Sequence, residues 1–113
     1  MRWPYLSVFP LTLLAACQQK VPEIGRDLPS NYAEGEQIFD QRIKARFPAG
    51  TDEKQAIEEL QGQGFQLSPS MEGVRDATFI RKEAVFQTIW SMRWRANDGK
   101  ISEVWGVYGV KAP

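Results

Sequence analysis

The sequence predicts an α+β domain, a two-helix hairpin packed on one face of a three-stranded antiparallel sheet. Two observations carry that class. Apolar residues recur at helical spacing between residues 36 and 61, and at every second position beyond residue 77. Between two such alternating runs lies "ANDG", residues 96–99, a hairpin turn.

The first helix is read from "NYAEGEQIFDQRIKARF". Phe39, Ile43 and Phe47 fall at i, i+4 and i+8 with Ile38 alongside, which makes one apolar stripe and turns Asp40, Gln41, Lys44 and Arg46 mainly toward water. Ser30 or Asn31 can cap its start, and Gly35 weakens the first turn, so the helix is expected to be firm from about Glu36. Pro48 disfavours helical geometry at Phe47. Gly50 supplies a link, and Thr51 is the expected N-cap of a second helix from Asp52 to Gln61. That helix turns Ala56, Ile57 and Leu60 inward and stops at Gly62 or Gly64.

Residues 66–76, "QLSPSMEGVRD", read as a loop that opens with a short strand through Phe65 and Leu67 at most. "ATFIRK" and "AVFQTIWSMRW" are the next strands, and "KISEVWGVYGV" is the last. In the middle run Phe86, Thr88, Trp90, Met92 and Trp94 share one face, the expected core face; Ile89, Ser91, Arg93 and Arg95 share the other. A type I turn followed by Gly99 pairs Ala96 with Lys100, and so sets Arg93 beside Glu103, Ile89 beside Val107 and Trp105 near Ser91. A register displaced by one residue sends Trp105 inward beside Trp90 instead.

Ahead of the domain, residues 1–16 carry one early charge, Arg2, and then an almost uncharged run through Leu13 and Leu14. The run is short of the about 20 apolar residues that span a bilayer, and it reads as a cleaved signal peptide. Residues 17–30 are expected to form a flexible tether, with the folded domain occupying residues 31–113.

Leu14-Ala15-Ala16-Cys17 resembles the lipobox of bacterial lipoproteins. The resemblance implies cleavage before Cys17, a diacylglyceryl group on its sulfur and acylation of the new amino group. Two or three acyl chains hold where one is marginal, at about 0.8 kcal/mol for each buried methylene. Gln18 is not the aspartate that marks inner-membrane retention in that class, so the implied address is the outer membrane, facing the periplasm. The alternatives are a secretory signal with a chance cysteine behind it, or a free thiol.

Composition narrows the chemistry. Lys and Arg total 14 and so do Asp and Glu, with no basic excess of the kind that binds nucleic acid. There is no histidine, and the single thiol of Cys17 is the expected lipid acceptor, so neither Cys/His nor Ser/His catalysis can be assembled. Glu58-Glu59 and Asp52-Glu53 read as solvated helix charges, and "GQGF" lacks the strand and helix that flank a phosphate loop. No metal site, cofactor or enzymatic activity is expected.

The functional expectation falls on the sheet. Trp90 and Trp94 read as core, whereas Trp105 with Ile89 and Val107 forms an apolar patch on the uncovered face, flanked by Arg93, Arg95 and Lys100. Aromatic and arginine side chains grouped on a surface mark docking sites, against the plainer reading of structural packing. The order of elements, with Gly50-Thr51 leading a helix that ends Leu60-Gln61-Gly62, is similar to the SmpA/OmlA (BamE-like) small outer-membrane lipoproteins and the related beta-lactamase-inhibitor-protein-like domains. This implies a setting in envelope assembly and carries over no binding residues. The expected partners are the membrane, through lipid on Cys17, and another envelope protein; the alternative is a small ligand or envelope polymer bound on the same aromatic face.

Overall fold

Asn31 caps the first helix, its side chain accepting the Glu34 amide at 3.0 Å. The computed structural model describes residues 21–112, and in it helix α1 runs Tyr32–Arg46. Gly35 lies in the first turn of α1, where a side chain would meet the Tyr108 ring at 2.8 Å. The missing Cβ lets the helix settle on the sheet. Phe39, Ile43 and Phe47 are all buried, as the helical spacing predicts.

Helix α2 runs Glu53–Gly62 and is capped by Asp52, which accepts the Gln55 amide at 3.0 Å. Thr51, the expected cap, does something else. Its hydroxyl donates to the Pro48 carbonyl at 2.6 Å, and its own carbonyl accepts the Ile101 amide at 2.8 Å, which ties the interhelical link to the last strand. Ala56 and Leu60 are buried on the inner side of α2. Truncating Leu60 to alanine would remove contacts worth about 2–5 kcal/mol.

The sheet is an antiparallel meander of four strands, not three: β1 Gln66–Met71, β2 Val74–Lys82, β3 Gln87–Asn97 and β4 Lys100–Lys111, in the order β1-β2-β3-β4. The added strand is β1, which lies where a loop is expected. It pairs with β2 through Gln66 opposite Thr78 and Ser68 opposite Asp76, and Glu72 and Gly73 close the hairpin with φ of 52° and 81°. Positive φ at both central residues is the geometry that matches strand twist. Pro69 is tolerated because β1 is an edge strand, where a missing N–H breaks no ladder.

The β3–β4 register also differs from expectation. Asp98 and Gly99 both have positive φ, so the turn is a two-residue one that pairs Asn97 with Lys100, and a bulge follows between Arg95 and Ala96. Arg93 therefore faces Trp105 rather than Glu103, and Ile89 faces Gly109 rather than Val107. Between Arg95 and Gln87 the displacement is two residues, an even number, so Trp105, Val107 and Ile89 keep their expected face. Beyond the bulge it is one, which turns Ile101 into the core. Phe86, expected on the core face, lies in the β2–β3 connection outside β3 and is only half-buried. Trp90, Met92 and Trp94 lie in the core, and the inward alternative for Trp105 does not occur.

Residues 21–28, expected as tether, are part of the fold. Pro22 and Gly25 are buried, and Val21, Ile24 and Leu28 pack against the core. A 3₁₀ turn at Glu23–Gly25 brings Gly25 so close to the Trp90 indole that a Cβ would lie 2.5 Å from Nε1. The Gln63 side chain accepts the Ile24 amide at 2.9 Å, and Arg42 donates to the carbonyls of Ile24 and Arg26 at 3.2 and 2.5 Å. Backbone polar groups and a proline, rather than a periodic apolar pattern, fasten this strap. Cys17 and the leader lie outside the described residues.

Candidate docking face of the sheet

Helices and strap cover only one side of the sheet. The other side carries the alternate residues of each strand, and the pairing sets them in transverse rows. One row runs Ser68, Asp76, Arg93, Trp105 across all four strands, and the next runs Gln66, Thr78, Ser91, Val107. Further along, Ile80 lies opposite Ile89, which lies opposite Gly109.

All five residues singled out on the sheet thus share this outer face. Trp105 and Arg93 are direct cross-strand partners, and Trp105 is half-buried. Val107 is diagonal to Ile89, and Ile80, 49 % exposed, extends their apolar strip onto β2. Arg95 is paired across the strands with Glu103 at 3.5 Å and donates to the Glu72 carbonyl at 3.3 Å. Lys100 lies apart from the patch, beside the β3–β4 turn, where its backbone forms an isolated antiparallel bridge with that of Asp52.

The sequence reading did not include the residues of β1 and β2 that complete the face. Asp76 accepts the Arg93 Nε at 3.0 Å on one oxygen and the Thr78 hydroxyl at 2.5 Å on the other. Thr78 and Ser91 share a further hydrogen bond at 2.8 Å. The signal for Asp76 was available: alternation in "VRDATFI" runs back from Ile80 through Thr78 and Asp76 to Val74. These groups floor a groove of about 540 Å³, with Trp105 at one side and Pro69, Met71 and Val74 at the other. That volume is within the range of small-molecule and peptide sites, about 300–1,000 Å³.

A second cleft, about 440 Å³, lies between the strap and the two helices. Both of its guanidinium groups are already engaged: Arg46 pairs with Glu59 at 2.5 Å, which raises the Arg46 pKa, and Arg42 holds the strap. It is a structural seam. The edges of the sheet are closed to strand addition as well. On β4 the amides of Gly106 and Tyr108 donate to Asp40 and Glu36 of α1 at 2.8 and 3.2 Å, and on β1 Pro69 and a bulge break the row. Of the groove, the cleft and the two sheet edges, the outer-face groove stays open.

Compared with protein-family models, with curated proteins and with solved structures, the chain finds no significant match in any of the three. No helix among the described residues is long and apolar enough to cross a membrane.

Proposed function

We propose that this protein is a lipid-anchored module at the outer membrane, facing the periplasm, whose domain docks another envelope protein through the outer face of its sheet. The lipobox-like Leu14-Ala15-Ala16-Cys17 supports the anchor, and the Arg93–Trp105 face supports the docking. The role is scaffolding in envelope assembly, the setting that the SmpA/OmlA resemblance implies.

The observation that carries this reading is the position of the strap relative to that face. Val21 packs on the helix-covered side, and four residue steps separate it from Cys17. Fully extended, those steps reach about 14 Å at most. A lipid on Cys17 therefore holds the helix side close to the bilayer and leaves the outer face turned away from it, toward partners in the periplasm.

In-cell photo-crosslinking from position 105, with position 54 on exposed α2 as control, tests the docking. A protein adduct specific to position 105 is the expected result. An adduct to peptidoglycan would favour the second reading, a module for an envelope polymer, which Trp105 as a stacking platform also supports. No adduct above the control would remove both.

A further inference from the structure

We infer that the groove on the outer face is a carboxylate-binding subsite, and that it takes an acidic side chain from an extended segment of a partner protein. The inference rests on the docking reading above and names its chemistry. Arg93 is the centre of it. Asp76 holds the guanidinium by Nε alone, and Asp76 is itself fixed by Thr78, which is fixed by Ser91. Both Nη groups are left with no acceptor among the described residues, on a side chain 46 % exposed. Two parallel N–H donors in a rigid fork match the two oxygens of a carboxylate.

Donors and acceptors in the groove are unevenly spent. Both Asp76 oxygens already receive hydrogen bonds, whereas the Arg93 fork gives none, so the free capacity is for an acceptor. A carboxylate meets the fork with two coplanar oxygens and opposite charge, where a neutral hydroxyl offers one oxygen and no charge. The groove walls are apolar, with Trp105 on β4 and Met71, 75 % exposed, on β1. An acidic residue over β3 would therefore place apolar residues two positions before and after it, which share its face in an extended segment, on these two walls. Strand spacing sets the length of the segment: β1 to β4 spans about 14 Å, the extent of about four extended residues. With both sheet edges closed, such a segment lies across the strands and not alongside them.

The experiment uses the full lipidated protein in detergent micelles and two fluorescein-labelled pentapeptides, followed by anisotropy. One has a central glutamate with leucine and phenylalanine at its two ends, on the glutamate's face when extended; the other has glutamine in its place. The glutamate peptide is expected to bind with a Kd below about 1 mM and about tenfold or more tighter than the glutamine peptide. Arg93→Gln is expected to abolish that preference, and Asp76→Asn to reduce it about threefold or more by releasing the guanidinium, while Lys54→Gln on exposed α2 changes it less than about twofold. Because Arg93 is exposed, unchanged thermal melting separates loss of binding from loss of fold. Equal binding of the two peptides, no binding, or displacement by inorganic phosphate or a peptidoglycan disaccharide at lower concentration than the glutamate peptide would overturn the inference. A protein crosslink from position 105 that persists in Arg93→Gln would also overturn it, while leaving the docking reading standing.

Discussion

The Asp40 carboxylate of α1 accepts the backbone N–H of Gly106 in β4 at 2.8 Å. Helix spacing and strand spacing meet here: Glu36, one turn before Asp40, accepts the Tyr108 amide, two residues beyond Gly106. Two edge amides that could recruit a foreign strand are thereby occupied from within. The contact needs glycine, since a Cβ at position 106 would lie 2.9 Å from the Phe39 ring and 3.1 Å from the Asp40 Cα, a backbone atom that cannot rotate away.

Gly106→Ala is accordingly expected to lower stability by about 1–3 kcal/mol, the usual range for overpacking. In a domain of this size that is a fall in Tm of several degrees, about 4–8 °C per kcal/mol. Thermal melting checks it. Unchanged melting would show that α1 does not bear on the β4 edge.

Trp94 is wholly buried, and its indole N–H donates to Glu53 Oε2 at 2.8 Å; the same oxygen pairs with Arg75 at 2.8 Å. Glu53→Ala strands that N–H without an acceptor and is expected to cost about 1–3 kcal/mol. Glu53→Gln keeps an acceptor and should cost clearly less. Urea unfolding of the two variants side by side tests the bond, and equal losses would assign the effect to Arg75 or to helix propensity instead.

The strap is held largely by hydrogen bonds to its backbone, and it covers a Trp90 indole N–H that has no acceptor among the described residues. Lifting the strap lets water reach that group. The Ile24 and Gly25 amides should therefore exchange hydrogen faster than those of β3, with Gly25→Val accelerating them further and leaving β3 protection nearly unchanged. Exchange measured residue by residue gives the answer; identical protection at Ile24 and Met92 would mean that strap and sheet open only together.

Burial raises the Tyr108 pKa above its ordinary value, and neighbouring Tyr32 adds to the rise while Arg81 opposes it. The folded state thus holds this proton more tightly than the unfolded chain. The associated stability is complete below the unfolded pKa of about 10 and is lost as pH rises through the folded value. Tyr108→Phe should flatten the alkaline limb of the stability–pH curve in that window. An identical limb in the variant would place the loss on other groups.

Helices and core face were legible because both rest on periodicity. Phe39, Ile43, Leu60, Trp90 and Trp94 are buried as their spacing predicts, and the outer face keeps its residues even though the β3–β4 register moved by two. That register depended on φ at Asp98, which residue type alone does not fix: with Asp98 in the left-handed region the turn shortens, and the bulge at Arg95 takes up the difference. Strand β1 was hidden for another reason. An edge strand with all six residues exposed has no inward face to alternate, and Leu67, on the side of Ala77, is still 43 % exposed.

What remained illegible involves backbone groups. The strap is bound through the Ile24 amide and the carbonyls of Ile24 and Arg26, and Asp40 looked solvent-facing until the edge of β4 was beside it. For the candidate site, Trp105 and Arg93 could be named from alternation alone. The partner that orients Arg93, Asp76, sat in a stretch read as loop because Ser68, Pro69 and Gly73 punctuate it.

Confinement to a membrane surface is the claim on which the orientation of the docking face depends, and intact-mass analysis of the protein extracted from membranes tests it most directly. The account predicts a chain beginning at Cys17 and heavier than its amino acids by a diacylglyceryl group and a further acyl chain. A mature chain with an unmodified thiol, or one still carrying residues 1–16, would contradict it.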